Sequence, residues 1–152
     1  MIALIQRAGS ASVVVGGETV GEIGRGILAL VGGERGDGEA EAARLAERVT
    51  GYRIFPDAAG RMNLSLKDVG GGLLAVPQFT LVADTNSGTR PSFSSGASPQ
   101  DGEKFFASFL SQAEKVLGKA IASGRFGADM QVSLVNDGPV TFWMQVPPQR
   151  RS

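Results

Sequence analysis

Two short stretches of the chain hold residues whose type and spacing can do chemistry. Pro77-Gln78-Phe79-Thr80-Leu81 lies within residues 69–83, where no charged residue occurs. Gln78 brings an amide, Thr80 a hydroxyl, and the backbone N–H groups of Phe79 and Thr80 a fixed cluster of donors. Donors held in place in this way stabilise the oxyanion that forms as an ester is hydrolysed, and they need no histidine to do so. Thr80 as a nucleophile needs a base to take its proton, and none stands beside it in the sequence. The plainer reading is a polar strand end, where alternation puts Gln78 and Thr80 on one face and Phe79 on the other. The second stretch is Asn136-Asp137-Gly138-Pro139-Val140-Thr141-Phe142. Its Gly-Pro pair separates two runs, 131–135 and 140–146, that alternate like half-buried strands. Glycine reaches backbone angles closed to other residues, while proline removes a donor and admits a cis bond. Gly-Pro is a turn signal, so the pair reads as a hairpin corner. It reads equally as a rigid main-chain fingertip inserted into a site. The residues alone leave both readings open.

The composition narrows the chemistry sharply. The chain has no histidine and no cysteine, which removes the usual general base, every Ser-His-Asp or Cys-His arrangement, thiol catalysis, disulfides and zinc–thiolate sites. What remains for catalysis is carboxylates, hydroxyls, amides, backbone groups or the substrate itself. No cofactor and no metal are expected. A formal net charge of zero gives no field suited to nucleic acid, so any RNA contact must come from a local basic patch or from recognition of shape and ends.

The elements that must position these residues follow from periodicity. With 152 residues the chain is long enough for one domain with a proper core. The first residues, Met1 to Arg7, read as a strand and not as a signal peptide. No apolar run approaches the roughly 20 residues of a membrane helix, and the expected location is the cytoplasm. Residues 12–15 and 18–23 around Gly16-Gly17 form a hairpin pattern. Residues 27–31 are a buried central strand, and 73–76 another. The glycine-rich loop 32–38 lacks the Lys-Ser/Thr end of a phosphate loop, and Glu34 and Asp37 would repel phosphate. Residues 39–50 form a helix with Ala42, Ala43, Leu45, Ala46 and Val49 inward and Glu39, Glu41, Arg44, Glu47 and Arg48 outward. Residues 52–55 are expected as a short strand. The polar loop 84–98 is long enough to suggest a function. Ser98 and Pro99 start a second helix, with Phe105, Phe106, Phe109, Leu110, Ala113 and Leu117 inward and Gly118 at its end. The result is an α+β domain spanning 1–146, of mostly antiparallel or mixed sheet with two main helices covering one face, and a flexible tail at 147–152.

Both stretches resemble the two motifs of the D-aminoacyl-tRNA deacylases, Ser-Gln-Phe-Thr-Leu and Asn-X-Gly-Pro-Val-Thr. Further likeness to the bacterial family lies, in order, at Gln6-Arg7-Ala8, Val20-Gly21-Glu22-Ile23-Gly24, Tyr52-Arg53-Ile54-Phe55-Pro56-Asp57, Arg61-Met62-Asn63-Leu64-Ser65 and Gly124-Arg125-Phe126-Gly127-Ala128-Asp129-Met130. The resemblance implies a barrel-like sheet, a homodimer, and hydrolysis of the ester joining a D-amino acid to the terminal adenosine of tRNA. It implies that Gln78, Phe79 and Thr80 are the catalytic group. It also implies that Gly138 and Pro139, joined by a cis bond, enter the other subunit's site and reject L-amino acids through main-chain atoms, a filter that cannot exclude glycine. Arg7, Asn136, Val140 and Thr141 would support that loop, and the terminal ribose 2′-hydroxyl would assist the attack. The implied partner is aminoacylated tRNA, with no DNA and no membrane. Arg25, Arg90 and Arg125 are candidates for the acceptor stem.

One residue departs from the pattern. Pro77 stands where the family has Ser, which removes a hydroxyl and one backbone N–H. The donors of Phe79 and Thr80 remain, and activity is expected to survive. A non-catalytic RNA-end or protein-binding module on the same scaffold is the alternative that Pro77 favours, and a Thr80-nucleophile amidase is a third reading.

Overall fold

The computed structural model describes residues 1–149. Its elements in order are β1 (Ile2–Val15), β2 (Glu18–Ile23), β3 (Gly26–Gly32), α1 (Glu39–Gly51), β4 (Phe55–Pro56), β5 (Met62–Leu64), α2 (Leu66–Val69) and β6 (Gly72–Pro77), then α3 (Pro99–Leu117), β7 (Ala122–Ser123) and β8 (Gln131–Gln145). A 3-10 turn, Phe79–Val82, follows β6.

β1 is the axis of the sheet. Its residues 2–8 pair antiparallel with β3 and its residues 11–15 with β2, while its other edge carries β8 along nearly its whole length. Gly16 and Gly17 make the β1–β2 turn at φ 56° and 81°, the left-handed angles that a two-residue hairpin asks for. β3 then pairs parallel with β6, and β6 parallel with β7. The parallel pairs need crossovers, and α1 and α3 lie within those two connections. β2 returns beside β7: a side chain at Gly21 would stand 2.9 Å from the Ser123 carbonyl. The fold is therefore an α+β domain whose mixed sheet curls into a nearly closed barrel.

Two apolar clusters follow from this curl. Ala8, Ala11, Val13, Leu28, Leu74 and Val76 fill one. The other lies where α1 and α3 pack on the sheet, with Leu45, Val49, Phe55, Phe105 and Phe109 among its members. A fully buried side chain such as Phe109 contributes about 2–3 kcal/mol. α3 begins and ends as the sequence predicts: the Ser98 hydroxyl accepts from the Asp101 N–H at 3.2 Å, Pro99 stands in the first turn, and Gly118 closes the helix at φ 68°.

Two local expectations are corrected, and a short helix is added. Glu41, expected on the outer face of α1, is buried, and its carboxylate accepts the Gln149 N–H at 3.2 Å; the chain after β8 crosses the start of α1. Of residues 52–55 only Phe55 is in a strand, paired with Leu64. The short α2 had a legible start, because Ser65 and Asp68 form a reciprocal capping box that holds the Asp68 carboxyl below its usual range through the Ser65 N–H and hydroxyl. Of the expected tail, residues 150–152 lie outside the described residues.

Candidate active site

Residues 77–83 do not continue as a strand. β6 stops at Pro77, and the chain tightens into the 3-10 turn with Gln78 as its cap. The Gln78 N–H still donates to the Val31 carbonyl at 2.8 Å. A built side chain at Gly32 would lie 2.9 Å from the Gln78 carbonyl, so glycine is what lets this turn sit on β3. Within the turn, the Leu81 N–H donates to the Gln78 carbonyl and the Ala83 N–H to that of Thr80. The first two N–H groups, those of Phe79 and Thr80, have no acceptor among the described residues, as the opening of a helical turn requires. The Gln78 amide donates to the Thr80 hydroxyl, so these two side chains meet as alternation predicted, by a turn in place of a strand. The Phe79 side chain is 66% exposed and rests on Phe93, with ring centroids 5.3 Å apart.

A cavity of about 490 Å³ opens beside this turn, with Gln78 and Phe79 in its wall together with Ala97, Phe126, Met130 and Val132. Its lining is largely apolar, with a few polar groups such as Gln78 and Ser98, as in small-molecule sites generally. The sequence singled out the segments bearing Ala97 and Phe126, through the polar loop and the Gly124–Met130 motif, but gave no sign that Met1 would also reach this wall.

The second group of site residues forms a separate structure. β8 does not turn back at Gly138-Pro139. It pairs with β1 on both sides of the pair, with Asn136 opposite Ala8 and Thr141 opposite Gln6. The strand must therefore loop outward between those two positions, and the hairpin corner is ruled out. The Gly138–Pro139 peptide is cis, Gly138 has φ 136°, and both residues are exposed. The loop is tied at its base. The Asn136 carbonyl oxygen of the side chain accepts the Val140 N–H at 3.1 Å, and its amide donates to the Thr141 hydroxyl at 2.9 Å. Arg7 reaches under it, donating to the Asp137 carbonyl at 3.1 Å and the Ile54 carbonyl at 2.7 Å, with the Asp137 carboxylate 3.4 Å away. Neither Gly138 nor Pro139 lines the cavity in the same chain.

Residues 4–145 match the family described as D-Tyr-tRNA(Tyr) deacylase. The chain belongs to this family. A D-aminoacyl-tRNA deacylase of Halorhodospira halophila is 62% identical over 149 residues, covering 98% of this chain and 97% of the relative. One of Thioalkalivibrio sulfidiphilus is 63% identical over 150 residues, covering 99% and 100%. Among solved structures, a c-Myc DNA Unwinding Element Binding Protein superposes with a TM-score of 0.90 at 37% identity, covering 97% of this chain and 99% of that one.

For a deacylase-family chain, Pro77 is the residue that needs a physical account. N–H groups alternate sides along a strand, and that of Gln78 points to β3. The one absent at Pro77 would face the β7 side, where pairing reaches only Leu74 and Ala75. Proline at this position thus forfeits no ladder hydrogen bond. Among the described residues no group of three or more Asp or Glu is arranged to hold a metal ion, and Asp37 is the carboxyl near the cavity whose proton affinity is shifted: burial raises it, against the Glu34 N–H and the Met1 ammonium. Arg125 stands exposed in the segment bordering the cavity, Arg90 is exposed on the 84–98 loop, and Arg25 lies over the Phe55 ring at 5.3 Å.

Proposed function

We propose that this chain is a homodimeric hydrolase that cleaves the ester of D-aminoacyl-tRNA, freeing the D-amino acid and the tRNA. The observation that carries this reading is the pair of unpartnered N–H groups at Phe79 and Thr80 beside an apolar cavity. Preorganised donors of this kind stabilise a tetrahedral oxyanion without reorganisation at the moment of reaction. The cavity takes the 3′-terminal adenosine, and its ribose 2′-hydroxyl assists attack on the ester carbon. Substrate then supplies the group that the protein, lacking histidine, does not have. Water adds to the carbonyl carbon, the C–O bond to the ribose breaks, and the ribose oxygen leaves with a proton.

Gly138 and Pro139 act as the chirality filter of the second subunit's site. Two features support this: the loop is exposed and braced by Arg7, Asn136 and Thr141, and it is absent from the cavity wall of its own chain. Main-chain atoms placed where an L side chain would project reject that enantiomer by exclusion. Glycine has no side chain to exclude, so glycyl-tRNA is a second substrate of the same site. Action on charged tRNA supports a cytoplasmic location. Among the described residues no helix is long and apolar enough to cross a membrane.

The test is release of amino acid from matched D-tyrosyl- and L-tyrosyl-tRNA, each counted over buffer alone. Fast release of D with L spared is expected. Survival of both esters sinks the hydrolase and leaves a binding module; loss of both sinks the filter.

A further inference from the structure

Two aromatic rings stand uncovered beside the donor turn. Phe79 is 66% exposed and Phe93 42% exposed, with centroids 5.3 Å apart and planes inclined by 50°. Phe79 belongs to the cavity wall and Phe93 lies outside it, so the pair carries the apolar lining out onto the surface. A continuous exposed apolar patch with a polar rim marks an interaction site. Phe93 is held in place by the backbone around it. Asp84 and Ser92 exchange N–H to carbonyl bonds of 2.7 and 2.9 Å, and the Gly96 N–H donates to the Phe93 carbonyl at 3.0 Å. The Ser95 hydroxyl donates to the Val82 carbonyl at 3.0 Å, which ties the segment to the end of the donor turn. Beyond the Asp84–Ser92 closure, residues 85–91 make an exposed lobe. The Asp84 carboxylate stays at its neck and accepts the Asn86 N–H at 2.9 Å. Arg90 is the one charged residue between Asp84 and Asp101, and it is exposed on the lobe beside Thr89.

We propose that the Phe79–Phe93 pair is a stacking platform for the unpaired nucleotide that precedes the terminal adenosine of the tRNA, with Arg90 on the phosphate that joins the two. On the deacylase reading, the cavity that Phe79 borders holds the adenosine, and the platform rests on that reading. A cavity of about 490 Å³ is of a size for one small-molecule-sized group, so the rest of the strand must leave over the rim. An unpaired base has lost its stacking partners, and aromatic side chains restore that contact whatever the base is. Sites for single strands combine such rings with cations that follow the backbone. A chain of zero formal net charge offers no long-range field for a duplex, whereas two rings and one local cation suit the end of a single strand.

The experiment measures KM and kcat for two esters of D-tyrosine, one on tRNA and one on adenosine alone, with wild type, Phe93→Ala, Phe93→Leu and Phe93→Tyr. The adenosine ester ends where the platform begins. Phe93→Ala should raise KM for the tRNA ester at least about fivefold, with KM for the adenosine ester and kcat on both within about twofold. Tyrosine keeps an aromatic face and should restore KM; leucine keeps apolar packing on Phe79 without one and should not. Arg90→Gln should flatten the slope of log(kcat/KM) for the tRNA ester against log salt by about 0.7. An equal penalty on both esters, no penalty on either, rescue by leucine, or an unchanged salt slope overturns the proposal. A second arm needs no hydrolysis: equilibrium binding of an RNA tetranucleotide ending in a 3′-adenosine, against adenosine alone. Wild type should prefer the tetranucleotide, and Phe93→Ala should lose at least about fivefold of that preference. If wild type cleaves neither ester, the deacylase reading falls and this arm still decides the platform. No preference in wild type, or one that Phe93→Ala keeps, overturns it.

Discussion

At the scale of single residues, backbone groups carry the proposed chemistry and side chains hold them. Thr80 offers a hydroxyl, yet that hydroxyl accepts from the Gln78 amide and has no base in position. Thr80→Ala should therefore keep turnover of D-tyrosyl-tRNA within about tenfold of wild type; a loss near a thousandfold in single-turnover assays would make the hydroxyl the nucleophile. Gly138 is the opposite case, because the missing side chain is its contribution. A Cβ there would lie 2.6 Å from Val140 Cγ2 and 2.9 Å from the Val140 nitrogen, at φ 136°. Gly138→Ala must move the loop, with a cost of about 1–3 kcal/mol. The expected readout is release of L-tyrosine from L-tyrosyl-tRNA, which wild type is expected to spare; an unchanged D/L ratio would remove Gly138 from the filter. Asp37 adds a pH dependence. Its folded proton affinity is raised by burial above that of an ordinary aspartate, so the folded chain holds that proton more tightly than the unfolded chain does. Stability contributed by this residue must then fall as pH rises from about 4 through the folded value. Melting of wild type minus that of Asp37→Asn should be most positive at the acid end and decline toward neutrality; the reverse slope would contradict the burial account.

At the scale of elements, what was legible in the sequence is what periodicity and caps encode locally. Ser98, Pro99 and Gly118 bound α3 to the residue, and Gly16-Gly17 made the hairpin. What was not legible depended on partners distant in sequence. Residues 131–135 and 140–146 look like two strands of a hairpin, but β1 is long enough to pair with both, so the Gly-Pro pair became an outward loop of one continuous strand. Glu41 looked solvated from its helical phase, but it is buried and accepts the Gln149 N–H from the segment after β8. The step from β6 into a 3-10 turn was hidden because the turn is set by Gly32 beneath it, a residue over forty positions upstream. The two candidate site stretches were found from residue types and resemblance, whereas the place of Met1 in the cavity wall had no sequence signal. Pro77 tests the element-level account directly. Since its missing N–H faces a side where β7 has ended, Pro77→Ser should change neither the ladder nor the donors. Melting within about 3 °C and turnover within about threefold of wild type are expected; a large gain in turnover would show that a hydroxyl at this position takes part in the reaction.

At the scale of the whole molecule, the two groups of site residues are useful to each other only if a second copy supplies one of them. Each chain displays a donor pair beside its cavity and, elsewhere, a braced loop that its own cavity does not use. In the proposed two-fold dimer each loop would stand at the other chain's donors, because a self-complementary interface repeats every contact twice. Two variants separate the roles. Phe79→Pro removes one donor N–H, and proline suits the first position of a helical turn whose N–H is unpaired in any case, so this chain loses the oxyanion site and keeps its filter. Gly138→Ala keeps the donors and loses the filter. Alone, the first should release neither enantiomer and the second both. Refolded together with the Phe79→Pro chain in ninefold excess, nearly every donor-competent chain has a partner with an intact filter. L-tyrosine release per donor-competent chain should then fall to about a tenth, while D-tyrosine release per such chain is kept. If the filter served its own subunit, or if the chains did not pair, dilution would leave L release unchanged, and the cross-subunit site would have to be abandoned.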